Sequence, residues 1–319
     1  MKKPFLSIVV PVFNEEGNIK ELHREIVDIC DVMAAKDVIS SYEIIIVNDG
    51  STDDTDRVCS TLRPIKYIRM RKNFGQTAAM DAGIKASNGD FIVTMDGDGQ
   101  NDPADIPGLI EHLLENELDV VSGWRKNRKD NFFKRFTSRG ANFLRGILVH
   151  DGIHDSGCSL KIYKKECFKG INLYGEQHRF IPAILKIKGF QIGEIVVNHR
   201  PRTSGRTKYN WKRTIKGFLD MISVWFWNKF ATRPLHLLGS FGLLFLGFGG
   251  ACGIWSIVIF IKGAKMSNNI IPPILTIFFI IIGLMMIIFG LMSEIMIKTY
   301  YGVHADSSYS IKSIEDFKE

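Results

Sequence analysis

A chain of 319 residues is long enough for one sizeable α/β domain and something extra. Its hydrophobic content of 45% and mean hydropathy of +0.04 are high for a purely soluble protein. The net charge of +7 is concentrated: Trp124 to Val149 holds eight Lys/Arg and one Asp, and Asn198 to Leu219 holds seven Lys/Arg and no acid. The remainder is therefore net acidic, and the clustering points to an anionic partner: phosphates, a membrane surface or nucleic acid. The five cysteines show no CxxC or paired spacing and read as reduced thiols in a cytosol-facing protein.

Met1-Lys2-Lys3-Pro4 leads straight into a strand-like run, so no signal peptide is expected. Leu6 to Val10 reads as a first strand, ended by Pro11-Val12-Phe13-Asn14-Glu15-Glu16. A helix follows from about Gly17 to Ala35. Tyr42 to Val47 is a second strand, apolar on both faces as buried parallel strands are. It ends in Asn48-Asp49-Gly50-Ser51-Thr52-Asp53, where Ser51 or Thr52 can cap the next helix. A third strand, Ile65 to Met70, leads into Arg71-Lys72-Asn73-Phe74-Gly75 and a helix from about Gln76 to Ala86. Phe91-Ile92-Val93-Thr94 is a short β-branched strand running into Met95-Asp96-Gly97-Asp98-Gly99-Gln100. Pro103 to Glu117 reads as a helix and Asp119 to Ser122 as a strand. This alternation predicts a parallel, doubly wound α/β sheet.

Asp96 and Asp98 stand two residues apart at a strand's carboxyl end, among glycines that let the backbone turn and leave room for an approaching group. Two hard anionic oxygens there suit a divalent cation, Mg²⁺ or Mn²⁺, carrying a phosphate. Alone, the pair is weak evidence, because acidic Asp-Gly turns are common, and an ordinary solvated turn is the better reading. Four polar loops, at Asn14, Asp49, Asn73 and Asp96, all fall at strand carboxyl ends, where open α/β sheets bind ligands.

PVFNEE, VNDGSTD, RKNFGQ and MDGDGQ, in that order, resemble a family 2 glycosyltransferase with the nucleotide-sugar-binding fold called GT-A. The resemblance implies that Asp49 contacts the nucleotide base, that Asp96 lies by the ribose and diphosphate, and that Asp98 coordinates the metal with Asp96 beside it. It also implies that Pro11, Glu15 and Arg71 line the nucleotide pocket, with Gln100 among the donor-binding residues.

Beyond residue 125 the patterns are basic and amphipathic. Phe132, Phe133, Phe136, Phe143, Leu144, Ile147 and Leu148 form one helical stripe with Lys134, Arg135, Arg139 and Arg145 between them. Residues 131–148 therefore read as a helix in a membrane interface, with a core-packed helix as the alternative. His150 to Asp155 looks superficially like a metal cluster, but a metal pair is already in hand. Asp155-Ser156-Gly157-Cys158 resembles the D-x-G-C segment of transferases that glycosylate polyprenyl phosphates, where the Asp sits beside the reacting centre. His199 to Tyr209 resembles the same branch's R-x-x-G-x-[ST]-K-[YF] segment. The match implies that Arg202 and Lys208 hold phosphate. Nucleic acid is not expected, because that loop lacks base-stacking aromatics. Residues 211–230 form a second amphipathic stripe whose tryptophans suit the headgroup level.

Two uncharged runs follow, Pro234 to Ile261 and Met266 to Ser293, each long enough to span a bilayer. A short link makes them a hairpin, at about 234–261 and 267–293, with a polar tail over 300–319. The basic flanks Lys229, Arg233 and Lys298 put residues 1–230 and both termini on the cytosolic side of the plasma (inner) membrane.

The whole pattern resembles the polyprenyl-phosphate glycosyltransferases, including dolichol-phosphate mannose synthases and bactoprenol glucosyltransferases. The expected reaction is inverting transfer of a hexose, glucose first, from a UDP-sugar to undecaprenyl phosphate. Asp98, Asp155 and Arg202 are the expected catalytic residues, and Arg125, Arg135 and Ser138 the residues for the lipid phosphate. GDP-mannose is an alternative donor, and a homo-oligomer is compatible with the pattern. A processive polysaccharide synthase would carry Q-x-x-R-W, whereas this chain has only Gln177-His178-Arg179-Phe180. A non-catalytic membrane scaffold fits poorly with intact Asp49, Asp96, Asp98 and Arg202.

Overall fold

The computed structural model describes residues 3–126, 152–201, 233–263 and 269–304, with positions 222, 225, 226 and 230. Arg135, Ser138, Arg202, Lys208, the stripe at 131–148, nearly all of 211–230 and the tail beyond 304 lie outside them. The chain divides into two units, Met1–Trp225 and Phe226–Glu319.

The first unit is built on one seven-stranded sheet: β1 (Phe5–Val12), β2 (Ser41–Asn48), β3 (Lys66–Arg69), β4 (Phe91–Thr94), β5 (Val120–Trp124), β6 (Lys161–Lys164) and β7 (Ile192–Val196). The order is β3-β2-β1-β4-β6-β5-β7, and only β6 runs antiparallel to its neighbours. The order reverses between β1 and β4, which pair in parallel with Leu6 opposite Phe91. Such a reversal opens a crevice at the carboxyl ends of the two strands. It brings the loop after Val12 beside the loop after Thr94.

Strand residues alternate between faces, and each face is buried. Leu6, Ile8, Val10 and Val12 pack with Ile19, Leu22 and Ile26 of α1 (Ile19–Ala35) and with Ile106, Leu109 and Leu113 of α4 (Ile106–Glu115). Val9, Ile45, Val47 and Ile92 face the other way, against α3 (Gln76–Ala86) and α5 (Ile181–Ile187). At Gly83 of α3 a Cβ would sit 2.4 Å from a Val9 methyl, so helix and strand touch only because that position lacks a side chain.

The helix expected from Pro103 is a 3-10 turn, Pro103–Asp105, followed by α4. The remaining helix, α2 (Thr55–Thr61), is not capped by Ser51 or Thr52. Those hydroxyls bond Asn14 instead, at 3.0 and 3.2 Å.

The second unit holds two helices, α6 (Pro234–Ile261) and α7 (Ile271–His304), both long and apolar enough to cross a membrane. They are antiparallel. Gly242 lies against Gly283 and Ile287, Gly249 against Thr276 and Ile280, and Gly290 against Leu235 and Leu238. Backbones approach closely where small residues face each other. Large apolar side chains such as Leu243, Ile254, Ile277 and Ile295 point outward and are more than half exposed. Pro272 and Pro273 lie in the first turn of α7, where a missing N–H removes no helical bond. Glu294 lies within α7 and pairs with Lys298 one turn on, at 3.1 Å.

Candidate active site

The loops at the carboxyl ends of β1 to β4 are fastened to one another. Asn14 takes a positive φ of 55°, receives the Thr52 N–H at 2.8 Å on its side-chain oxygen, and donates its own N–H to Ser51 Oγ. The Glu15 N–H bonds Thr55 Oγ1 at 2.8 Å. Asp49 ties the second loop to the third: its carboxylate accepts the N–H groups of Phe74 and Gly75 at 2.7 and 2.9 Å. Gly50, at φ +67°, passes so close that a Cβ would lie 2.5 Å from the Lys72 backbone.

These loops surround a cavity of about 430 Å³. Pro11, Glu15, Asp49, Asp96, Asp98 and Gln100 all line it. Arg71 does not; it is exposed, while Asn73, Gly75 and Gln76 of the same motif reach the cavity. The Gln76 amide donates to Asp96 Oδ1 at 2.6 Å, and Ser159 Oγ accepts the Asp96 N–H at 3.2 Å. Gly97 and Gly99 have different reasons to be glycine. Gly99 holds φ +70° in open space, whereas a Cβ on Gly97 would lie 2.6 Å from a Val12 methyl. The second carboxylate, Asp98, turns back to accept the Gln100 N–H at 3.1 Å.

Burial, and then the like charge of Asp98, raise the Asp96 pKa above the ordinary carboxylate value. Two crowded carboxylates in a recess are a donor set that a hard divalent cation would relieve. Mg²⁺ or Mn²⁺ needs one or two such ligands when phosphates complete its shell. Among the described residues no cluster of three or more His, Cys, Asp or Glu side chains offers a rival site.

The far wall comes from the turn before β6, through Ser156, Gly157, Cys158 and Ser159. Asp155 and Arg125 stand beside it: a Cβ added at Gly157 would lie 3.3 Å from Arg125 Nη2 and 3.5 Å from Asp155 Oδ1. Arg125 grips Asp155 through Nε at 2.7 Å and Nη2 at 3.0 Å. Burial alone would raise the Asp155 pKa, but the hydrogen bonds and charge of Arg125 outweigh it and hold the carboxyl below its usual value.

Three wall residues escaped the sequence reading. Lys161 is 2% exposed, lines the cavity, and donates to the carbonyls of Cys158 and Ser156; burial lowers its pKa. His178 and Arg179 enter from a 3-10 turn after residue 176, with His178 Nδ1 paired to Thr77 Oγ1 at 2.7 Å. The first opens a strand that reads Lys-Ile-Tyr-Lys, so nothing in its sequence signals burial. The other two stand in the sequence only within an imperfect Q-x-x-R-W.

Past β7 the chain returns to the acidic loop. The Arg200 N–H bonds the Gln100 carbonyl at 2.9 Å, and Asn101 bridges His199. The Arg200 guanidinium bonds Glu25 at 2.7 and 2.8 Å and Asp102 at 2.7 and 3.2 Å. The described segment ends at Pro201, next to the Arg202 motif.

Residues 7–171 match the model of glycosyl transferase family 2, more than half of the chain. The chain belongs to that family. Among similar proteins is the dodecaprenyl-phosphate galacturonate synthase of Rhizobium johnstonii, 38% identical over 98% of this chain and 93% of that protein. Another is the undecaprenyl-phosphate 4-deoxy-4-formamido-L-arabinose transferase of Edwardsiella ictaluri, 30% identical over 97% of this chain and 94% of its own. The fold is that of GT-A glycosyltransferases. The Mycobacterium tuberculosis glucosyl-3-phosphoglycerate synthase, solved with Mn²⁺ and UDP-glucose, superposes with a TM-score of 0.55 at 18% identity. That likeness covers 70% of this chain and 79% of the other. The chain is thus a glycosyltransferase with the family's mostly parallel sheet.

Proposed function

We propose that this family 2 enzyme transfers a sugar from a UDP-sugar to a polyprenyl phosphate, undecaprenyl phosphate or a close homologue, at the cytosolic face of the membrane. The observation that carries the reading is one chain uniting the acidic crevice at the β1/β4 reversal with two bilayer-length apolar helices. The relatives matching nearly the full length, helices included, act on lipid carriers by name.

In this reading the nucleotide lies along Pro11, Glu15 and Asp49, and its diphosphate reaches Asp96 and Asp98. A divalent cation on those two carboxylates would neutralise charge developing on the leaving diphosphate. Arg202 and Lys208 close on that diphosphate from a segment whose root, Arg200, is bonded beside Gln100. The acceptor is a phosphate monoester, already largely ionised at neutral pH. It attacks the anomeric carbon from the face opposite the leaving group, giving inversion. Asp155, with its lowered pKa, is poorly suited to take a proton there. Its work is to hold Arg125 toward the acceptor phosphate, with Arg135 and Ser138 as further contacts. The stripes at 131–148 and 211–230 lie in the membrane interface, and both termini are cytosolic.

Glucose is the sugar read from the sequence; the Rhizobium relative favours galacturonate as a second reading. The test is label transfer to undecaprenyl and dodecaprenyl phosphate from a panel of UDP-glucose, UDP-galacturonate, UDP-4-deoxy-4-formamido-L-arabinose and GDP-mannose. Transfer from one UDP-sugar, with none from GDP-mannose, is the expected result. Transfer to a soluble acceptor only, or from GDP-mannose only, would overturn the reading.

A further inference from the structure

The turn that carries Asp155 is held by its backbone, and the groups holding it are buried charges on neighbouring strands. Glu194 lies on β7, opposite Ser122 of β5, and its side chain is 9% exposed. Its carboxylate accepts the His154 N–H at 3.0 and 3.1 Å and the Asp155 N–H at 3.1 Å. It also pairs with His154 Nδ1 at 2.8 Å, and that imidazole stacks on Trp124, 4.5 Å between centroids and 17° from parallel. From the other end of the turn, Lys161 donates to the carbonyls of Ser156 and Cys158.

A carboxylate so nearly covered is costly to desolvate unless its oxygens are satisfied. Three N–H groups of one two-residue segment satisfy Glu194 and fix where Asp155 begins. The Asp155 side chain then has one course, toward Arg125, whose backbone N–H and guanidinium it meets at 3.3, 2.7 and 3.0 Å. Trp124 leads directly into Arg125, so the His154–Trp124 stack steadies the partner strand as well.

We infer that Glu194 is a positioning residue for acceptor recognition: it clamps the 154–155 backbone so that Asp155 presents Arg125 to the acceptor phosphate. This rests on the proposed role of Asp155 and Arg125 and extends it to a residue 39 positions away. Glu194 lies outside the lining of the donor cavity, so donor binding is expected to stand apart from it.

The experiment uses the full-length enzyme in lipid nanodiscs and compares Glu194→Ala, Glu194→Gln, Asp155→Ala and the double variant Asp155→Ala/Glu194→Ala. Supporting groups around a functional centre typically contribute 10- to 100-fold, so Glu194→Ala should lower kcat/KM for polyprenyl phosphate at least about tenfold. UDP affinity in the presence of Mn²⁺ should stay within about twofold of wild type, as uniform structural damage would not allow. Glutamine keeps an oxygen to accept both backbone N–H groups, so Glu194→Gln should recover most of the loss. The double variant should be no slower than Asp155→Ala, because the two act as one unit. Unchanged acceptor kcat/KM in Glu194→Ala, an equal loss of UDP affinity, no recovery with glutamine, or additive losses would each overturn the inference. Full activity in Asp155→Ala would overturn the underlying assignment of Asp155 as well.

Discussion

Arg125 and Asp155 form a two-pronged ion pair, Nε to Oδ2 at 2.7 Å and Nη2 to Oδ1 at 3.0 Å, with side chains only 11% and 15% exposed. Each therefore depends on the other for its charge to be tolerated. Removing one partner of a buried pair strands the other at about 3–5 kcal/mol. Arg125→Ala should lower stability by an amount of that order and abolish most transfer. Arg125→Lys keeps the charge but loses the planar fork, so it should recover stability better than activity. Denaturant unfolding together with acceptor kinetics checks both; a fully active Arg125→Ala would remove the pair from the reaction.

The same pair fixes a pH expectation. Asp155 has a lowered folded pKa, so the stabilisation it gives is complete above the unfolded value of about 3.9 and is lost only as pH falls through the folded value. The pair is thus fully charged wherever the enzyme works. An acid limb near pH 6 is therefore assigned not to Asp155 but to the acceptor, whose second phosphate pKa is about 6. Acceptor kcat/KM should fall below about pH 6, and Asp155→Asn should lower the curve without moving that limb. A limb that shifts or vanishes in Asp155→Asn would identify Asp155 as a titrating base.

Much of this site was legible because β1, β2 and β4 are largely apolar runs and each of β1 to β4 ends in a polar loop. The helix Gln76–Ala86 and the strand Phe91–Thr94 fall where the pattern puts them. What was hidden depends on partners distant in sequence. β6 begins and ends in lysine, and its burial follows from pairing with β4 and β5 rather than from composition. Glu194 and Arg200 look like ordinary surface charges until residues 154–155, 102 and 25 meet them. The Ser51 and Thr52 hydroxyls were legible as capping groups, but Asn14, 37 and 38 residues away in sequence, engages them.

Gly97 separates the two acidic residues for a packing reason, and that reason is testable. An added Cβ would lie 2.6 Å from Val12 Cγ1 and 3.2 Å from the Pro11 carbonyl, in a strand with no slack. Overpacking of this kind costs about 1–3 kcal/mol. Gly97→Ala should therefore destabilise modestly and push Asp98 off its position, weakening Mn²⁺-dependent UDP binding. Gly99→Ala meets no neighbour but must hold φ +70°, so its penalty should come from backbone strain and be smaller in binding. Calorimetric titration of UDP with Mn²⁺ distinguishes them; equal binding losses would refute the distinction.

The metal expectation follows from the same loop. Asp98→Asn removes an anionic ligand while leaving the fold's bonds nearly intact. A loss on the order of 10²–10³ in kcat is expected, as for removal of one transition-state stabiliser. Chelation by EDTA should silence the wild type, and added Mn²⁺ or Mg²⁺ should restore it. Full turnover in EDTA would sink the metal assignment.

The two basic stretches should divide the labour between substrates. Arg202 follows Arg200 by two positions, and Arg200 is bonded to Gln100, Asp102 and Glu25 beside the acidic loop. That tether favours a donor role for Arg202, so Arg202→Ala should lower kcat and kcat/KM together, as loss of a transition-state contact does. Arg135 lies ten positions past Arg125, in a stripe of cations alternating with Phe and Leu. Arg135→Ala should chiefly raise KM for polyprenyl phosphate and leave UDP affinity unchanged. Higher salt should weaken the contribution of exposed cations to both lipid substrate and anionic vesicles, by screening. If Arg135→Ala instead weakened UDP binding and spared the lipid KM, the 131–148 stretch would belong to the donor side and the division would be wrong.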